Sequence, residues 1–478
     1  MQKKHCSSET NNKIFDRTFD YDTSSASFNE NILNDRTFDY DTSSTSFNKN
    51  ILNDITFCKI NDNITRENNN NKNINLSDRI FNLSPNTSQI KTDDYFRNIN
   101  RNNFDTKKIG DKTKNVIVNP NKKTKYFMEP NNILSLKMLT YYQYLLKKSF
   151  IASSYSLLSV LSLFYIGTNG ESKRELEKCL GISDKNNLYN GLIQINQLLQ
   201  KSGCVKLVNF IIVNNKIKLL DNYKFLVNKL GFIESVDVKN PNNSVQKVNN
   251  IIEKKTNGII TDVLSNRLIN QSTEIILINC IYFKSDWKIK FSKDNTQEKE
   301  FYDLLNTKFV KMMQLFKVSL PYYENNKYKL LELPYKDDNF TMGILLEKNL
   351  NQIIIPPNAS TLNSYISKLQ YKKVNVQLPK FTQETTLYPA DILKMLGIKN
   401  IFNHVDAKEM TDEKNIYLNN IVHKAKIIVD ESGTESAAVS AILLSNNEQI
   451  INFYANHPFI YYIRHVPTNT IIFTGYFN

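Results

Sequence analysis

The sequence predicts an α+β protein behind a disordered N-terminal extension, and two contrasts along the chain lead to this prediction. The first is compositional: residues 1–125 hold 25 asparagines and little apolar periodicity, whereas long apolar segments follow from residue 126 onward. So polar a segment cannot bury enough apolar surface to offset the entropy lost on ordering. The second contrast lies within residues 126–478, where apolar residues at helical spacing come first and strand-like runs come later.

The extension contains a tandem repeat of 19 residues. Residues 16–34 recur as residues 35–53 with differences at two positions only. Near-identity indicates recent duplication, because a stable structural array needs three or more units with a buried face. We interpret the repeat as a solvated tail; a docking segment that uses Phe19, Tyr21 and Phe28 is the alternative.

The charge distribution argues against a nucleic-acid partner. The net charge is +14, but no block of five like charges and no nucleic-acid-binding signature is present. We therefore expect a solvated basic surface that at most favours an acidic partner weakly. No apolar run is long enough to span a membrane, so we expect no membrane partner.

The N-terminal segment leaves the compartment open. The basic start Met1–Cys6 is not followed by the apolar stretch of a secretory leader, which by sequence favours the cytoplasm.

The cysteines and histidines do not form a recognisable metal or redox motif. None of the five cysteines has metal-type spacing, and their odd number argues against a complete disulfide framework. His457 and His465 lie eight residues apart, too loose a spacing for a metal site. We expect no metal and no cofactor.

The folded region can be divided into elements from its apolar periodicity. Helical spacing predicts three helices before residue 260 and a fourth later, and apolar runs bounded by turn residues predict the strands. The predicted helices are Ile133–Lys148, Tyr155–Tyr165, Ser244–Lys255 and Asp391–Leu396, and the predicted strands are Leu207–Val213, Glu274–Phe283, Leu330–Leu333, Met342–Leu346, Val374–Leu378 and a closing pair within Phe453–Phe477.

Motifs of the common enzyme classes are missing from the sequence. There is no Gly-x-Ser-x-Gly elbow, no Walker loop, no Gly-x-Gly-x-x-Gly and no His-Glu-x-x-His. A protein that is not an enzyme is therefore favoured.

Four stretches, in this order along the chain, resemble the serpin family. Asn279–Trp287 is similar to the central strand of that family's main sheet, and Leu331–Lys336 follows as a second match. His423–Ala438 is similar to the inhibitory hinge, and Asn456–Gly475 to the signature strand with its closing hairpin. The resemblance that they carry extends over nearly all of residues 130–478.

This resemblance implies a fold and a mechanism. We expect a serpin domain over residues 126–478, with three β-sheets, about eight or nine helices and an exposed reactive loop. It also implies a suicide inhibitor of a serine or cysteine endopeptidase, acting as a monomer and, by family expectation, outside the cell. A peptidase cleaves the loop, is trapped as an acyl-enzyme, and the cut loop inserts into the main sheet. The alternative is a non-inhibitory serpin that acts as a binding or chaperone-like protein.

The segment after the hinge has the chemistry of a strand that can insert. Strand residues alternate between two faces, and Thr434, Ser436 and Ala438 form a small, uncharged face. Glu435 falls on the face that can stay in water, and no proline interrupts the segment. The hinge residues implied by the resemblance are Glu431, Gly433, Thr434, Glu435, Ser436, Ala437 and Ala438. A flexible Ala/Ser-rich linker is the alternative.

The resemblance places the scissile bond about sixteen residues beyond Glu431, between Asn447 and Glu448. The register could shift by one or two residues, and Asn446, Ser445 and Leu444 also remain candidates. No Lys or Arg lies between Asp430 and Arg464, so the target is not expected to be trypsin-like. Asparagine at the cut suits an asparaginyl cysteine peptidase, whereas Leu444 would suit a chymotrypsin- or elastase-like enzyme.

The resemblance assigns control of sheet opening to two further regions. Ser153, Ser156, Asn279 and His423 form the shutter, a set of hydroxyl, amide and imidazole groups that can satisfy one another. Trp287, the single tryptophan, is placed beneath the breach where the hinge enters the sheet.

Overall fold

A computed structural model describes residues 122–182, 184–303, 306–349, 354–432 and 449–478, with side chains from Met128 onward. The tandem repeat and the disorder predicted for the extension lie outside these residues. The first described element is a helix that begins at Lys122, slightly before the boundary predicted at residue 126.

The described residues contain eight α-helices. They are α1 (Lys122–Leu146), α2 (Ser154–Tyr165), α3 (Gly170–Leu180), α4 (Lys185–Ser202), α5 (Asp221–Val227), α6 (Pro241–Lys255), α7 (Ala359–Ile366) and α8 (Ala390–Met395). Of the four predicted helices, α1 starts earlier than its periodicity indicated, and in its added part the side chains of Asn131 and Asn132 donate to the carbonyl oxygens of Ile471 and Asn469 at 2.8 Å. These tertiary contacts offset the poor helix propensity of asparagine.

The described residues also contain fourteen strands, numbered in chain order. They are β1 (Phe150–Ala152), β2 (Val205–Asn214), β3 (Phe232–Val236), β4 (Ile275–Phe283), β5 (Gln297–Tyr302), β6 (Thr307–Glu324), β7 (Tyr328–Pro334), β8 (Phe340–Glu347), β9 (Gln370–Pro379), β10 (Phe381–Leu387), β11 (Leu418–Val429), β12 (Ile451–Tyr454), β13 (Phe459–His465) and β14 (Thr470–Phe477).

The main sheet has five strands in the order β10-β11-β4-β2-β3. Both of its faces are covered: Leu277 and Ile281 of β4 join the large core, whereas Ile276 and Ile278 join a second core that also contains Val248 and Ile252 of α6. Burial on both faces explains why β2 and β4 read as near-continuous apolar runs.

The remaining nine strands form one hydrogen-bonded network through the long strand β6. The main path runs β1-β14-β13-β8-β7-β6-β9-β12, and β5 pairs with β6. The first part of β6, Thr307–Met312, pairs with β5, its middle, Met312–Tyr322, pairs with β9, and its end, Tyr322–Glu324, pairs with β7. The second and third of the three expected sheets are therefore continuous here, and the predicted α+β fold is confirmed.

Helix α2 belongs to the large hydrophobic core and contacts strands β2 and β4. All of its residues are buried, and Ser153 caps its first turn by accepting a hydrogen bond from the Ser156 amide at 3.1 Å. A helix buried all round is typical of a core position. The cap places Ser153 and Ser156 directly against the main sheet, where the candidate site lies.

Candidate functional site: the seam between β4 and β11

Two central strands of the main sheet, β4 and β11, run parallel and are hydrogen-bonded directly to each other. Their register runs from Leu418 opposite Ile275 to Ile427 opposite Phe283. A chain that turned back at the end of β11 and ran between them would be antiparallel to both. We call this boundary the seam.

Four polar side chains from three elements meet on the inner side of the seam. Asn279 of β4 lies opposite His423 of β11, and His423 Nδ1 bonds Asn279 Oδ1 at 2.9 Å. Ser156 Oγ donates to the same Asn279 oxygen. The Ser153 amide donates to His423 Nε2 at 3.0 Å, and Ser153 Oγ donates to the Ile472 carbonyl at 2.6 Å. The structure thus brings together the four residues named as the shutter.

The hydrogen bonds fix the protonation state of His423. Because Nε2 accepts from the Ser153 amide, Nδ1 carries the proton and donates to Asn279. The ring is fully buried, and burial lowers the pKa of His423 to about 3. The imidazole is neutral at physiological pH, and no charge lies in the cluster.

Two further residues extend this cluster into β2 and were not expected from the sequence. Asn279 Nδ2 donates to Asn209 Oδ1, and Asn209 Nδ2 donates to Ser159 Oγ at 2.9 Å. Both are buried. The network therefore spans α2, β2, β4 and β11, so parting the seam requires rearrangement of several buried polar groups at once.

Trp287 lies where the chain leaves β11. Its indole Nε1 donates to the Asp430 carbonyl at 2.8 Å, and its ring stacks on Tyr335 with centroids 4.4 Å apart. The Trp287 amide also donates to the Ser432 carbonyl at 3.4 Å. The side chain therefore holds the last described residues before the loop against the top of the sheet.

The carboxylate of Glu431 makes a second set of contacts at the end of β11. It is buried, lies 2.6 Å from Lys380 Nζ and accepts from Thr296 Oγ1 at 2.9 Å. Burial alone would raise the pKa of Glu431, but the hydrogen bonds from Lys380 and Thr296 hold it below its usual value. Glu431 therefore stays ionised and ties the end of β11 to the connection between β9 and β10.

A second set of charges lies on the outer face of β11. Glu384 of β10 accepts from Lys424 at 2.9 Å and from Lys426 at 2.8 Å. The same ammonium groups donate to the carbonyl oxygens of Thr261 and Ile259, at 2.7 and 3.1 Å. Lys424 and Lys426 thus bind the segment that follows α6 to the outer face of the sheet.

The rest of the predicted hinge and the predicted cut lie outside the described residues. These are Gly433, Thr434, Glu435, Ser436, Ala437, Ala438, Asn447 and Glu448.

The two C-terminal histidines are engaged in separate hydrogen bonds. His457 Nε2 bonds the Glu347 carbonyl at 2.8 Å, and His465 Nδ1 bonds Thr468 Oγ1 at 2.7 Å. Among the residues that the structure describes, no three His, Cys, Asp or Glu side chains converge as a metal site would require. In the same part of the chain, no helix combines the length and apolarity needed to cross a membrane.

Comparison with known proteins gives one consistent result. A family profile described as serpin (serine protease inhibitor) matches residues 131–478. An uncharacterised serpin-like protein of Acanthamoeba polyphaga mimivirus is 34% identical over 344 residues, covering 68% of this chain and 83% of the relative. The leukocyte elastase inhibitor of Equus caballus is 30% identical over 347 residues, covering 68% and 92%.

A solved structure supports the same assignment. A crystal structure of maspin superimposes with a TM-score of 0.68 at 26% identity, covering 74% of this chain and 99% of that one. The family consists mostly of protease inhibitors, although some serpins are non-inhibitory. The resemblance read from the four sequence stretches is confirmed, and the chain belongs to the serpin family.

Proposed function

We propose that this protein inhibits a serine or cysteine endopeptidase by loop cleavage, covalent trapping and insertion of the cut loop at the seam. The parallel pairing of β4 and β11 is the observation that carries this proposal. Similarity to a leukocyte elastase inhibitor supports the same class of activity.

The hydrogen-bond balance of the seam favours insertion. Parting β4 from β11 breaks one parallel ladder, and a strand between them forms two antiparallel ladders. Antiparallel pairing is slightly more stable per residue than parallel pairing. The inserted strand therefore gains backbone hydrogen bonds on both sides. These bonds would supply the free energy that moves a bound peptidase away from its starting position.

The sequence after Ser432 suits this strand. Thr434, Ser436 and Ala438 alternate as a small face that can slide past the buried polar cluster, and Glu435 lies on the opposite face. No Lys or Arg is available at the cut, so we infer a target that is not trypsin-like.

The chemical step is acyl transfer. The peptidase nucleophile attacks the carbonyl carbon of Asn447, the bond to the Glu448 nitrogen breaks, and the amine leaves with a proton. Insertion of the segment that now ends at Asn447 then moves the attached peptidase before water can hydrolyse the acyl bond. In this scheme Ser153, Ser156, Asn279 and His423 control parting of the seam, and Trp287 with Glu431 holds the hinge until the cut.

A pair of loop variants tests insertion directly. In Thr434→Arg a charge falls on the inward face, so cleavage should continue while covalent trapping is lost. In Glu435→Arg the charge stays on the wet face, so trapping should persist. Each variant is incubated with a panel of serine and cysteine peptidases, and covalent complexes that are stable in SDS are quantified by gel electrophoresis.

The panel also decides between the proposal and a non-inhibitory serpin. Trapping by the wild-type chain, lost in Thr434→Arg alone, supports the proposal. Cleavage by every active peptidase without any stable complex overturns it and favours a binding or chaperone-like role. A melting temperature that does not rise after loop cleavage counts against insertion independently.

We also infer that residues 1–125 form an extension that inhibition does not need. The helix α1 begins at Lys122, so limited proteolysis should stop near this residue. A fragment that begins there should trap the same peptidase. Loss of trapping in a fragment with unchanged melting temperature would contradict this inference.

A further inference from the structure

Strand β6 carries a bulge that exposes an aromatic side chain. Leu315 pairs with Val376 and Val318 with Val374, so Phe316 and Lys317 together face the single residue Asn375. Lys317 has a positive φ of 54°, a backbone conformation that costs energy for a residue with a side chain. Phe316 is 57% exposed.

The bulge is tied to the strand on which the chain resumes after the reactive loop. The Lys317 amide donates to Asn375 Oδ1 at 3.0 Å, and Asn375 Nδ2 donates to Asn452 Oδ1 of β12 at 2.9 Å. Lys329 Nζ adds a bond to the Asn452 carbonyl at 3.1 Å. Phe316 and Lys317 are thus held in register with β12, which begins at Ile451.

Three lysines lie close to the bulge. Lys317 is part of it, and Lys373 and Lys372 of β9 pair with Ser319 and Leu320, which follow it on β6. Glu324 lies seven residues after Lys317 at the end of β6, and Lys311, toward its start, pairs with Glu298 of β5. The surface next to the bulge is therefore basic and aromatic.

A bulge in a sheet commonly re-aims a side chain toward a functional contact. Here the bulge exposes Phe316 to solvent, and it requires an unfavourable backbone conformation at Lys317. Phe316 belongs to neither hydrophobic core.

We propose that Phe316 and Lys317 contact the peptidase engaged at the reactive loop, through a surface patch on the peptidase that is acidic and contains an apolar depression. This inference rests on the proposed inhibitory function. Phe316 supplies apolar area that becomes buried on docking, and Lys317 with the neighbouring lysines raises the rate of encounter with an acidic partner.

The test measures the second-order rate constant of inhibition for a peptidase that the wild-type chain traps. Phe316→Ala should lower it about tenfold, and Lys317→Gly should lower it at low salt but not at high salt. Glycine accepts the positive φ, so the second variant keeps the bulge. Phe225→Ala is the matched control, because Phe225 is 63% exposed but lies on α5.

A second readout separates docking from a disturbed loop. A variant that merely perturbed β12 would increase the number of inhibitor molecules consumed per peptidase trapped, whereas loss of a docking contact leaves this number unchanged. Rates within twofold of wild type in both variants, with complexes intact, would overturn the docking surface alone. Failure of the wild-type chain to trap any peptidase would overturn the inhibitory function and the docking surface together.

Discussion

His423 of β11 donates a hydrogen bond of 2.9 Å to Asn279 of β4, and this bond crosses the seam between the two parallel strands. Asn279 Oδ1 also accepts from Ser156, and its amide donates to Asn209. One amide side chain thus satisfies three buried groups on three elements.

Replacing this amide should destabilise the protein strongly. Asn279→Ala leaves the His423 N–H and the Ser156 hydroxyl buried without a partner, each at a cost of about 1–3 kcal/mol. We expect the free energy of unfolding, measured by urea denaturation, to fall by at least about 2 kcal/mol. Asn186→Ala, exposed on α4, is the control and should change it by less than about 0.5 kcal/mol. Equal stability of the two variants would contradict the network.

The pH dependence of stability should report the buried His423. Its pKa is about 3 in the folded protein and near 6.5 in the unfolded chain, so below pH 6.5 the unfolded chain binds the extra proton. Stability is therefore full above pH 6.5 and falls toward pH 3, with a slope from this group of about 1.4 kcal/mol per pH unit.

His423→Gln isolates this contribution from that of other titrating groups. Burial also lowers the pKa of His465, to about 4, so the wild-type profile has more than one source. The variant should lose stability less steeply than wild type between pH 6 and about pH 4. Parallel profiles for the two proteins would show that His423 is not neutral in the fold.

Glycine at position 343 is required by the ring of Tyr462. A Cβ built on Gly343 would clash with the ring of Tyr462, because these residues pair directly across β8 and β13. Gly343→Ala should therefore lower stability by about 3 kcal/mol or prevent folding. Gly203→Ala has open space and only a strained φ, and should cost about 1–2 kcal/mol. A smaller loss for Gly343→Ala than for the control would refute the packing argument.

The buried ion pair of Glu332 and Arg464 should tolerate loss of both charges better than loss of one. Arg464 Nη2 lies 2.7 Å from Glu332 Oε2, and the Tyr462 hydroxyl donates to the same carboxylate at 2.8 Å. Glu332→Ala leaves a buried guanidinium and should cost about 3–5 kcal/mol in thermal or chemical unfolding. The double variant Glu332→Leu with Arg464→Met should recover part of that loss. A double variant worse than the single one would contradict this account.

The strands buried on both faces were the most predictable part of the fold. The predicted strand Glu274–Phe283 differs from β4 by one residue, because a run with both faces covered is apolar throughout. By contrast, β11 was not predicted as a strand. His423, Lys424 and Lys426 interrupt its apolar pattern, and their partners Asn279, Glu384 and the carbonyl oxygens after α6 belong to distant segments.

Helix α4 shows a pattern that was present but overlooked. Leu188, Leu192, Ile195 and Leu199 are buried at helical spacing between the capping residues Asp184 and Gly203. Its many asparagines and Gly191 lower helix propensity, so the residues between the apolar positions masked the signal. Tertiary burial of this one face compensates for the weak propensity.

The sequence also identified only part of the candidate site. The family resemblance named the four shutter residues and Trp287, whose contacts the structure now describes. It did not name Asn209 or Lys380, and it gave no role to Tyr335 within the matching stretch Leu331–Lys336, because each acts through a contact with a residue far away in the chain. Such partners become apparent only once the strands are in register.

The position of β14 has a consequence for biogenesis. This strand is the hydrogen-bonded neighbour of β1, and the amides of Asn131 and Asn132 on the first helix bind the backbone of Ile471 and Asn469. A nascent chain that has not yet emerged from the ribosome as far as Phe477 lacks the partner of its first described segments. A chaperone would therefore meet an unfinished core until this strand has emerged.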